Sequence, residues 1–343
     1  MNIFICLSRI ISGGFRKKVC CFLIIFGLIL SCGCSKTDLT EEEKKENITI
    51  RLQWKIQCQF SGLYTALEKG FYDDSGLCVT IEEGGYGKNN IASIRNGLEE
   101  FGTKWMADLV KEGDEFISLA NIIKSNGIAL VAKKDKGIDD VSDFAGRKLS
   151  TWFIGSEYQL YALLRAHGIS EQDAEIINQK WDMSQFYEDE VDVVTAMVYN
   201  ELLQVYRKGY RPQDLDIFYY SDYGLDFPGH CIFTSRAYYD NNRDTCRKFI
   251  LATIKGWEYS LAHPEEAVRI ILKYDKKNEL DYEMQLEQMR ILSLLVMKDR
   301  YPIGLNLKDD FEKISEIYLK YGVIDRYPDI EKLYTNEFIS RQE

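Results

Sequence analysis

The chain has 343 residues, of which 45% are hydrophobic and 28% charged, and this composition is typical of a globular protein with about two domains. The formal net charge of −11 argues against a nucleic-acid-binding protein, because such proteins present basic surfaces. The sequence shows no P-loop, G-x-S-x-G, H-E-x-x-H or EF-hand pattern. We therefore expect no catalytic residue, no metal and no cofactor.

The first 34 residues differ from the rest in composition. They contain four basic residues, no acidic residue and an apolar run at 19–30, which together predict a secretory signal. The run is short for a membrane-spanning helix, which needs about 20 apolar residues. A cysteine directly after the run resembles a bacterial lipobox, and we predict lipidation at Cys32, with Cys34 as the alternative. Residues 1–34 are thus predicted to be a lipoprotein signal peptide that directs the protein to the outer face of the cell membrane. An uncleaved N-terminal anchor is the alternative.

The remainder divides into a polar segment and two predicted lobes. Residues 35–47 are polar and charged, and they predict a flexible tether. Strands and helices then alternate up to about residue 235, and helices alone follow, which favours parallel α/β sheets. We predict a first lobe from 48–136 plus 235–343, with the late helices packed on it, and a second lobe from 137–234. Two such lobes would close on a ligand through a hinge.

The predicted elements begin with a βαβ unit. Its strands are 48–54 and 77–81, and its helix is 62–69. Ligands of open α/β sheets bind at the carboxyl ends of the strands. The residues that follow the first strand are Trp54, Gln57, Gln59, Phe60 and Tyr64. The glycines at 84–87 fit either an anion site or a tight turn.

The later elements follow from the same periodicities. Further strands are predicted at 100–102, 116–122, 128–133, 191–198, 217–220 and 230–234. Residues 137–153 predict a turn, a short helical step and a strand. Further helices are predicted at 89–96, 104–110, 155–167, 181–187, 199–207, 243–261, 265–274, 282–297 and 307–321. The cysteines Cys58, Cys78, Cys231 and Cys246 lack zinc-ligand spacing and fit either disulfides or free thiols.

The second lobe also contains residues that are predicted to line the ligand cleft. The segment TAMVYNE at 195–201 follows a predicted strand and opens a helix. An ionised Glu201 would accept hydrogen bonds from N–H groups of a ring. Alternatively, Asn200 and Glu201 cap and charge the first turn of that helix. Trp152 and Tyr199 offer stacking surfaces, which are worth roughly 1–3 kcal/mol per ring. Among the histidines, His230 is the one placed where a cleft could lie.

These motifs resemble those of the SsuA/THI5 (NMT1-like) family of solute-binding proteins. The resemblance rests on L-x-W-x-x-x-x-Q-F-x-G-x-Y-x-A-x-E-K-G-F-Y from residue 52 and on M-x-Y-N-E from residue 197. It implies a hinged two-lobe, periplasmic-binding-protein-like fold of type II and a monomer that serves an ABC permease and its ATPase. It also implies that a small heteroaromatic ligand, a pyrimidine precursor of thiamine or a related flat heterocycle, lies in the cleft. The ligand-binding residues predicted in this way are Trp54, Gln59, Phe60, Tyr64, Trp152, Glu157, Tyr199, Asn200 and Glu201.

Two alternatives accompany the resemblance. The family includes fungal thiamine pyrimidine synthases, which carry a C-C-C-F-C segment that this chain lacks. Thiamine-precursor binders often have Asn-x-x-His-x-Gly where this chain has QCQFSG at 57–62. The departure keeps riboflavin and aliphatic sulfonates as alternative ligands, although an aromatic and acidic cleft disfavours a free anion.

Overall fold

The computed structural model describes residues 45–85 and 87–339. The predicted signal peptide, both candidate lipidation cysteines and most of the predicted tether lie outside the described residues. The first strand begins at Glu46, so its first two residues fall within the predicted tether. No helix among the described residues is long and apolar enough to cross a membrane.

The described residues form two five-stranded sheets. The first sheet has the order β2-β1-β3-β10-β4, and the second has the order β7-β6-β8-β5-β9. The strands are β1 (Glu46–Arg51), β2 (Leu77–Glu82), β3 (Phe101–Trp105), β4 (Phe116–Asn121), β5 (Ile128–Lys133), β6 (Lys148–Thr151), β7 (Glu175–Asn178), β8 (Val193–Met197), β9 (Leu215–Tyr219) and β10 (His230–Ser235).

Helices cover both sheets, and the last α-helix ends at Lys320. They are α1 (Ser61–Glu68), α2 (Asn90–Arg95), α3 (Met106–Glu112), α4 (Ser156–Ala166), α5 (Ser184–Tyr187), α6 (Glu201–Arg207), α7 (Arg236–Asn241), α8 (Arg243–Ala262), α9 (Pro264–Tyr274), α10 (Tyr282–Val296) and α11 (Lys308–Lys320). Helices α8, α9 and α10 pack on α1 and on the turn before it, so the prediction that late helices cover the first lobe is confirmed.

Two glycines allow α1 and α8 to approach closely. A Cβ atom on Gly62 would lie 2.2 Å from the Trp257 ring, and one on Gly256 would lie 2.0 Å from the carbonyl oxygen of Gly62. Each position therefore excludes any larger residue. The contact fixes α1 against α8 and so helps to position the turn between β1 and α1, which carries part of the candidate site.

Sheet membership corrects the predicted parallel sheets and lobe boundaries. β10 runs antiparallel to β3 and β4, and β5 runs antiparallel to β8 and β9, so both sheets are mixed. β5 belongs to the second sheet and β10 to the first, although the predicted boundaries placed each in the other lobe. The chain crosses between the sheets after β4 and after β9. Alternation of strands and helices does not encode such a crossing, because a strand has the same pattern in either sheet.

The two crossing segments are joined to each other. The Asp226 carboxylate accepts hydrogen bonds from Ser125 Oγ at 2.5 Å and from Lys298 Nζ at 2.6 Å. The Asn126 amide donates to the carbonyl of Phe227 at 2.8 Å. These contacts define a small hinge region in which both crossings meet the C-terminal part of the chain.

Candidate functional site

A small cavity of about 40 Å³ lies between the two lobes. Small-molecule sites usually have about 300–1,000 Å³, so a ring can enter this cavity only if the lobes move apart. We call it the interlobe cavity. Its first-lobe lining is Gln53, Trp54, Gln57, Gln59, Lys104, Trp105 and Asp108. Its second-lobe lining is Trp152, Ile154, Met197, Tyr199, Asn200 and Glu201.

The segment after β1 is fixed by backbone contacts. The Gln53 amide donates to Thr103 Oγ1 at 2.8 Å, and the Gly84 amide donates to the carbonyl of Trp54 at 3.0 Å. A Cβ atom on Gly84 would lie 2.1 Å from the carbonyl oxygen of Leu52, so a glycine is required for this approach. The glycine cluster at 84–87 therefore has a packing role at Gly84, whereas Tyr86 within it lies outside the described residues.

Glutamines from α10 hold the turn before α1. Gln57 Nε2 donates to Gln59 Oε1 at 2.7 Å, and Gln288 Nε2 donates to Gln57 Oε1 at 3.2 Å. Gln285 Oε1 accepts a hydrogen bond from the Cys58 amide at 2.8 Å. Sequence reasoning missed Gln285 and Gln288. Their spacing of three residues on a helix, which places both on one face, was the available signal.

Glu201 lies in the second-lobe wall and also supports its own turn. Its Oε2 accepts a hydrogen bond from the Met197 amide at 3.0 Å, and its Oε1 accepts one from Asn200 Nδ2 at 2.6 Å. Burial raises the pKa of Glu201 to about 7. Each carboxylate oxygen has a second lone pair, so the residue can brace the turn and still accept a bond from a ligand. Asn200 occupies the N-cap position of α6 but makes no side-chain capping hydrogen bond, so of the alternative role only the acidic charge of Glu201 in the first turn is present.

Tyr199 and Trp152 place aromatic surface in the same wall. Both are buried, with exposed fractions of 1% and 4%. Trp152 comes directly after β6, and its carbonyl accepts a hydrogen bond from Ser156 Oγ at 2.7 Å. The Trp152 Nε1 atom is buried and has no hydrogen-bond partner among the described residues. With Trp54 and Trp105 from the other lobe, these rings give the lining four aromatic side chains, two from each lobe.

Polar contacts join the lobes beside the cavity. Lys104 Nζ donates to the carbonyl of Ile154 at 2.8 Å and lies 3.2 Å from Asp108 Oδ2. Burial raises the pKa of Asp108, and the nearby Lys104 opposes that shift. A Cβ atom on Gly155 would lie 2.1 Å from Asp108 Oδ1, and Gly155 has a φ of 126°. The loop after β6 therefore packs directly against the first lobe.

Three predicted site residues do not line the interlobe cavity. Phe60 is fully buried in the core, with its ring 5.6 Å from that of His230. Tyr64 packs 5.1 Å from Tyr274 and borders an adjacent groove. Glu157 Oε2 accepts a hydrogen bond from the Gly155 amide at 2.7 Å, which stabilises the loop after β6. His230 is also outside the lining, and burial lowers its pKa to about 3.

Contacts across the mouth of the cleft involve exposed side chains. The Lys55 ammonium lies 4.0 Å from the centroid of the Trp181 ring on the opposite lobe. Trp181 is 54% exposed, which is unusual for tryptophan. On the same side, Arg207 forms an ion pair with Asp281 at 2.8 Å.

Sequence reasoning missed several members of the lining. Gln53, Lys104, Trp105, Asp108 and Met197 all lie at or just after the carboxyl end of a strand. That position was the signal that could have found them. Within the described residues, no group of three or more His, Cys, Asp or Glu side chains could hold a metal ion. Cys58, Cys78, Cys231 and Cys246 are free thiols.

Comparison with known proteins decides the family. The family described as NMT1/THI5 like matches residues 57–267, more than half of the chain. The chain belongs to the NMT1/THI5-like family. A formylaminopyrimidine-binding protein of Halalkalibacterium halodurans is 20% identical over 304 residues, which cover 86% of this chain and 90% of that protein. The 4-amino-5-hydroxymethyl-2-methylpyrimidine phosphate synthase THI11 of Saccharomyces cerevisiae is 23% identical over 311 residues, covering 86% of this chain and 88% of the synthase.

A solved structure confirms the fold. The periplasmic aliphatic sulphonate binding protein SsuA from Escherichia coli superposes with a TM-score of 0.65 at 14% identity. The match covers 87% of this chain and 95% of SsuA. The predicted two-lobe periplasmic-binding-protein fold is therefore confirmed, with the corrections to strand direction and lobe boundaries given above.

Proposed function

We propose that the protein is an extracytoplasmic substrate-binding lipoprotein of an ABC importer. In this proposal the interlobe cavity takes a thiamine pyrimidine precursor or a related flat heterocycle. The observation that carries the proposal is the lining itself, in which aromatic rings from both lobes share one cavity with the buried carboxyl group of Glu201. The ligand is bound and released without chemical change.

The aromatic lining favours a flat ring over an aliphatic solute. Trp54 and Trp105 face the cavity from the first lobe, and Trp152 and Tyr199 face it from the second. A ring that enters between them gains stacking surface on both lobes at once, and each stacked ring contributes roughly 1–3 kcal/mol. Such contacts exist only when the lobes are closed, so the ligand itself stabilises the closed form.

The charges of the lining disfavour a free anion such as a sulfonate. The cavity has two carboxyl groups, Glu201 and Asp108, and the Lys104 ammonium. Lys104 is engaged by Asp108 and by the carbonyl of Ile154. A ligand rich in N–H donors meets acceptors here, whereas a sulfonate would meet carboxylates. Riboflavin, which is also a flat heterocycle, remains the alternative ligand.

The similarity to the yeast synthase supports an enzyme as the second candidate function. Such a reaction would need a lysine that presents a free amine to a pyridoxal-type group, and Lys104 is the lysine in this lining. Its ammonium is held by two contacts at 2.8 and 3.2 Å, which does not fit that role. His230 is buried outside the cavity. An absorbance band of a pyridoxal Schiff base in the purified protein, together with a single turnover, would establish the enzyme instead.

The proposed location and partners follow from the leader and the family. A signal peptide at 1–34 with lipidation at Cys32 would hold the protein, as a monomer, at the outer face of the membrane. A permease there would receive the ligand, and its ATPase partner would supply the energy. The binding protein named for formylaminopyrimidine, which is similar along most of its length, supports this assignment.

A thermal-shift panel tests the ligand class. The panel contains 4-amino-5-hydroxymethyl-2-methylpyrimidine, formylaminopyrimidine, riboflavin and an alkanesulfonate. A ligand at about 100 times its Kd should stabilise the protein by about 2.7 kcal/mol through mass action. We expect a pyrimidine to raise the melting temperature and the sulfonate to have no effect. Glu201→Gln should reduce the shift, whereas Glu190→Gln, an exposed change on the same lobe, should preserve it. A shift with the sulfonate alone would contradict the proposal.

A further inference from the structure

Three buried polar atoms of the cavity lining have no hydrogen-bond partner among the described residues, and one of them, Asp108 Oδ2, forms an ion pair with Lys104. The other two are Gln53 Oε1 on the first lobe and Trp152 Nε1 on the second. Native proteins contain few such atoms, because each one has lost its hydrogen bonds to water without replacement. Two of them in one cavity, one an acceptor and the other a donor, point to a ligand that supplies both partners.

Both residues are held in place, as recognition requires. The backbone of Gln53 is fixed by its hydrogen bond to Thr103 Oγ1. The Trp152 ring is 4% exposed, and the carbonyl of the residue is fixed by Ser156 Oγ. A group that is already positioned loses little conformational freedom when a ligand binds. The indole N–H of Trp152 is therefore suited to selecting a ligand, and the Gln53 side chain extends from a fixed backbone position.

We propose that Gln53 Oε1 and Trp152 Nε1 select the ring edge of the ligand. The amide oxygen accepts a hydrogen bond from an N–H group of the ligand, and the indole N–H donates to an acceptor atom of the ring. Glu201 supplies a further acceptor. This inference rests on the proposed function and deepens it, because it specifies a flat ring with an amino group and a ring nitrogen. A sulfonate offers acceptors alone and would leave Gln53 Oε1 unpaired.

The two atoms lie on opposite lobes, so a ligand that binds both favours the closed form. A ligand that bonds to both joins the segment after β1 to the segment after β6. Loss of either bond should mainly accelerate dissociation, because most changes within an interface act on the dissociation rate. Recognition and lobe closure would then depend on the same two hydrogen bonds.

Calorimetric titration of the purified protein with 4-amino-5-hydroxymethyl-2-methylpyrimidine tests the pair. Gln53→Met and Trp152→Phe each remove one polar atom and keep most of the side-chain volume. We expect each to raise Kd by about 10- to 100-fold, the usual effect of losing a buried hydrogen bond. The control Tyr318→Phe removes a buried unpaired hydroxyl group outside the cavity lining. It should change Kd by less than about threefold.

A ligand without the amino group completes the test. For the wild-type protein, the deaminated pyrimidine should bind about tenfold or more weakly, whereas Gln53→Met should bind both pyrimidines almost equally. Wild-type affinity in both Gln53→Met and Trp152→Phe would overturn the assignment. If the protein binds riboflavin but no pyrimidine, the proposed ligand is wrong, and the same variants titrated with riboflavin decide the role of the pair. Binding of an alkanesulfonate alone would overturn both.

Discussion

Replacement of the buried carboxylic acid Glu201 by glutamine should change how stability depends on pH. Burial raises the pKa of Glu201 from an ordinary value of 4.5 to about 7. Because the folded protein binds the proton more tightly than the unfolded chain, the free energy of unfolding falls as the pH rises from 4.5 to 7. The difference between the two pKa values corresponds to about 3 kcal/mol, at about 1.36 kcal/mol for each pH unit. Glu201→Gln cannot ionise and should lack this loss.

Urea unfolding of the ligand-free protein at about pH 4.5 and about pH 8 measures the effect. Other groups also titrate in this range, so the quantity of interest is the difference between variant and wild type. That difference should move in favour of Glu201→Gln by about 3 kcal/mol between the two pH values. The control Glu190→Gln alters an exposed acid and should show no such trend. A difference between Glu201→Gln and wild type that does not vary with pH would refute the reasoning.

Three further substitutions test the contacts around the cavity. Gly155→Ala should lower the melting temperature and weaken ligand binding, because the new Cβ would lie 2.1 Å from Asp108 Oδ1 where the lobes meet. Thermal melts and ligand titration would show both effects. Trp181→Ala should raise the ligand dissociation rate by about two- to fivefold in stopped-flow measurements, because it removes an exposed contact with Lys55 worth roughly 0.5–1 kcal/mol. Asp226→Ala should lower the free energy of unfolding in urea by about 1–2 kcal/mol, because it removes the bonds that join the two crossings.

Matched changes control these three experiments. Gly168→Ala also places alanine at a positive φ, but its Cβ would meet no atom within 4 Å, so it should leave ligand affinity unchanged. Tyr219→Ala removes another exposed ring, away from the cleft mouth, and should leave dissociation unchanged. Asp222→Ala removes an exposed acid bonded to Ser221 and should cost less than about 0.5 kcal/mol. Equal effects in a variant and its control would contradict the assigned contact.

Much of the fold was predictable because local periodicity determines local structure. The strand β5 was predicted at its observed bounds, and α8 and α10 were predicted to within one residue. Sheet membership was not predictable in the same way. Whether β5 pairs with β8 or with a strand of the first lobe depends on long-range packing, and the apolar run of a buried strand is the same in both cases. The short strand β7 was missed because its pattern is weak and partly exposed.

Some residues of the candidate site were predictable from local sequence, and others depend on how the two lobes pack. Residues in sequence motifs next to strand ends, such as Trp54, Trp152 and Glu201, lie in the lining. Phe60 belongs to the motif that begins at residue 52 but packs in the core, because that motif also contains residues that pack α1 against the rest of the first lobe. Gln53 stands at an unspecified position of that motif, between Leu52 and Trp54. Its unpaired oxygen becomes visible only when both lobes are in place.

Tryptophan fluorescence during a ligand titration tests the central claim most directly. Trp54, Trp105 and Trp152 line the interlobe cavity, so a flat ring that binds there must alter their emission. We predict a saturable, one-to-one change with 4-amino-5-hydroxymethyl-2-methylpyrimidine or a related heterocycle, with the ligand recovered unchanged. A saturable change with an alkanesulfonate, and none with any heterocycle of the panel, would contradict the account.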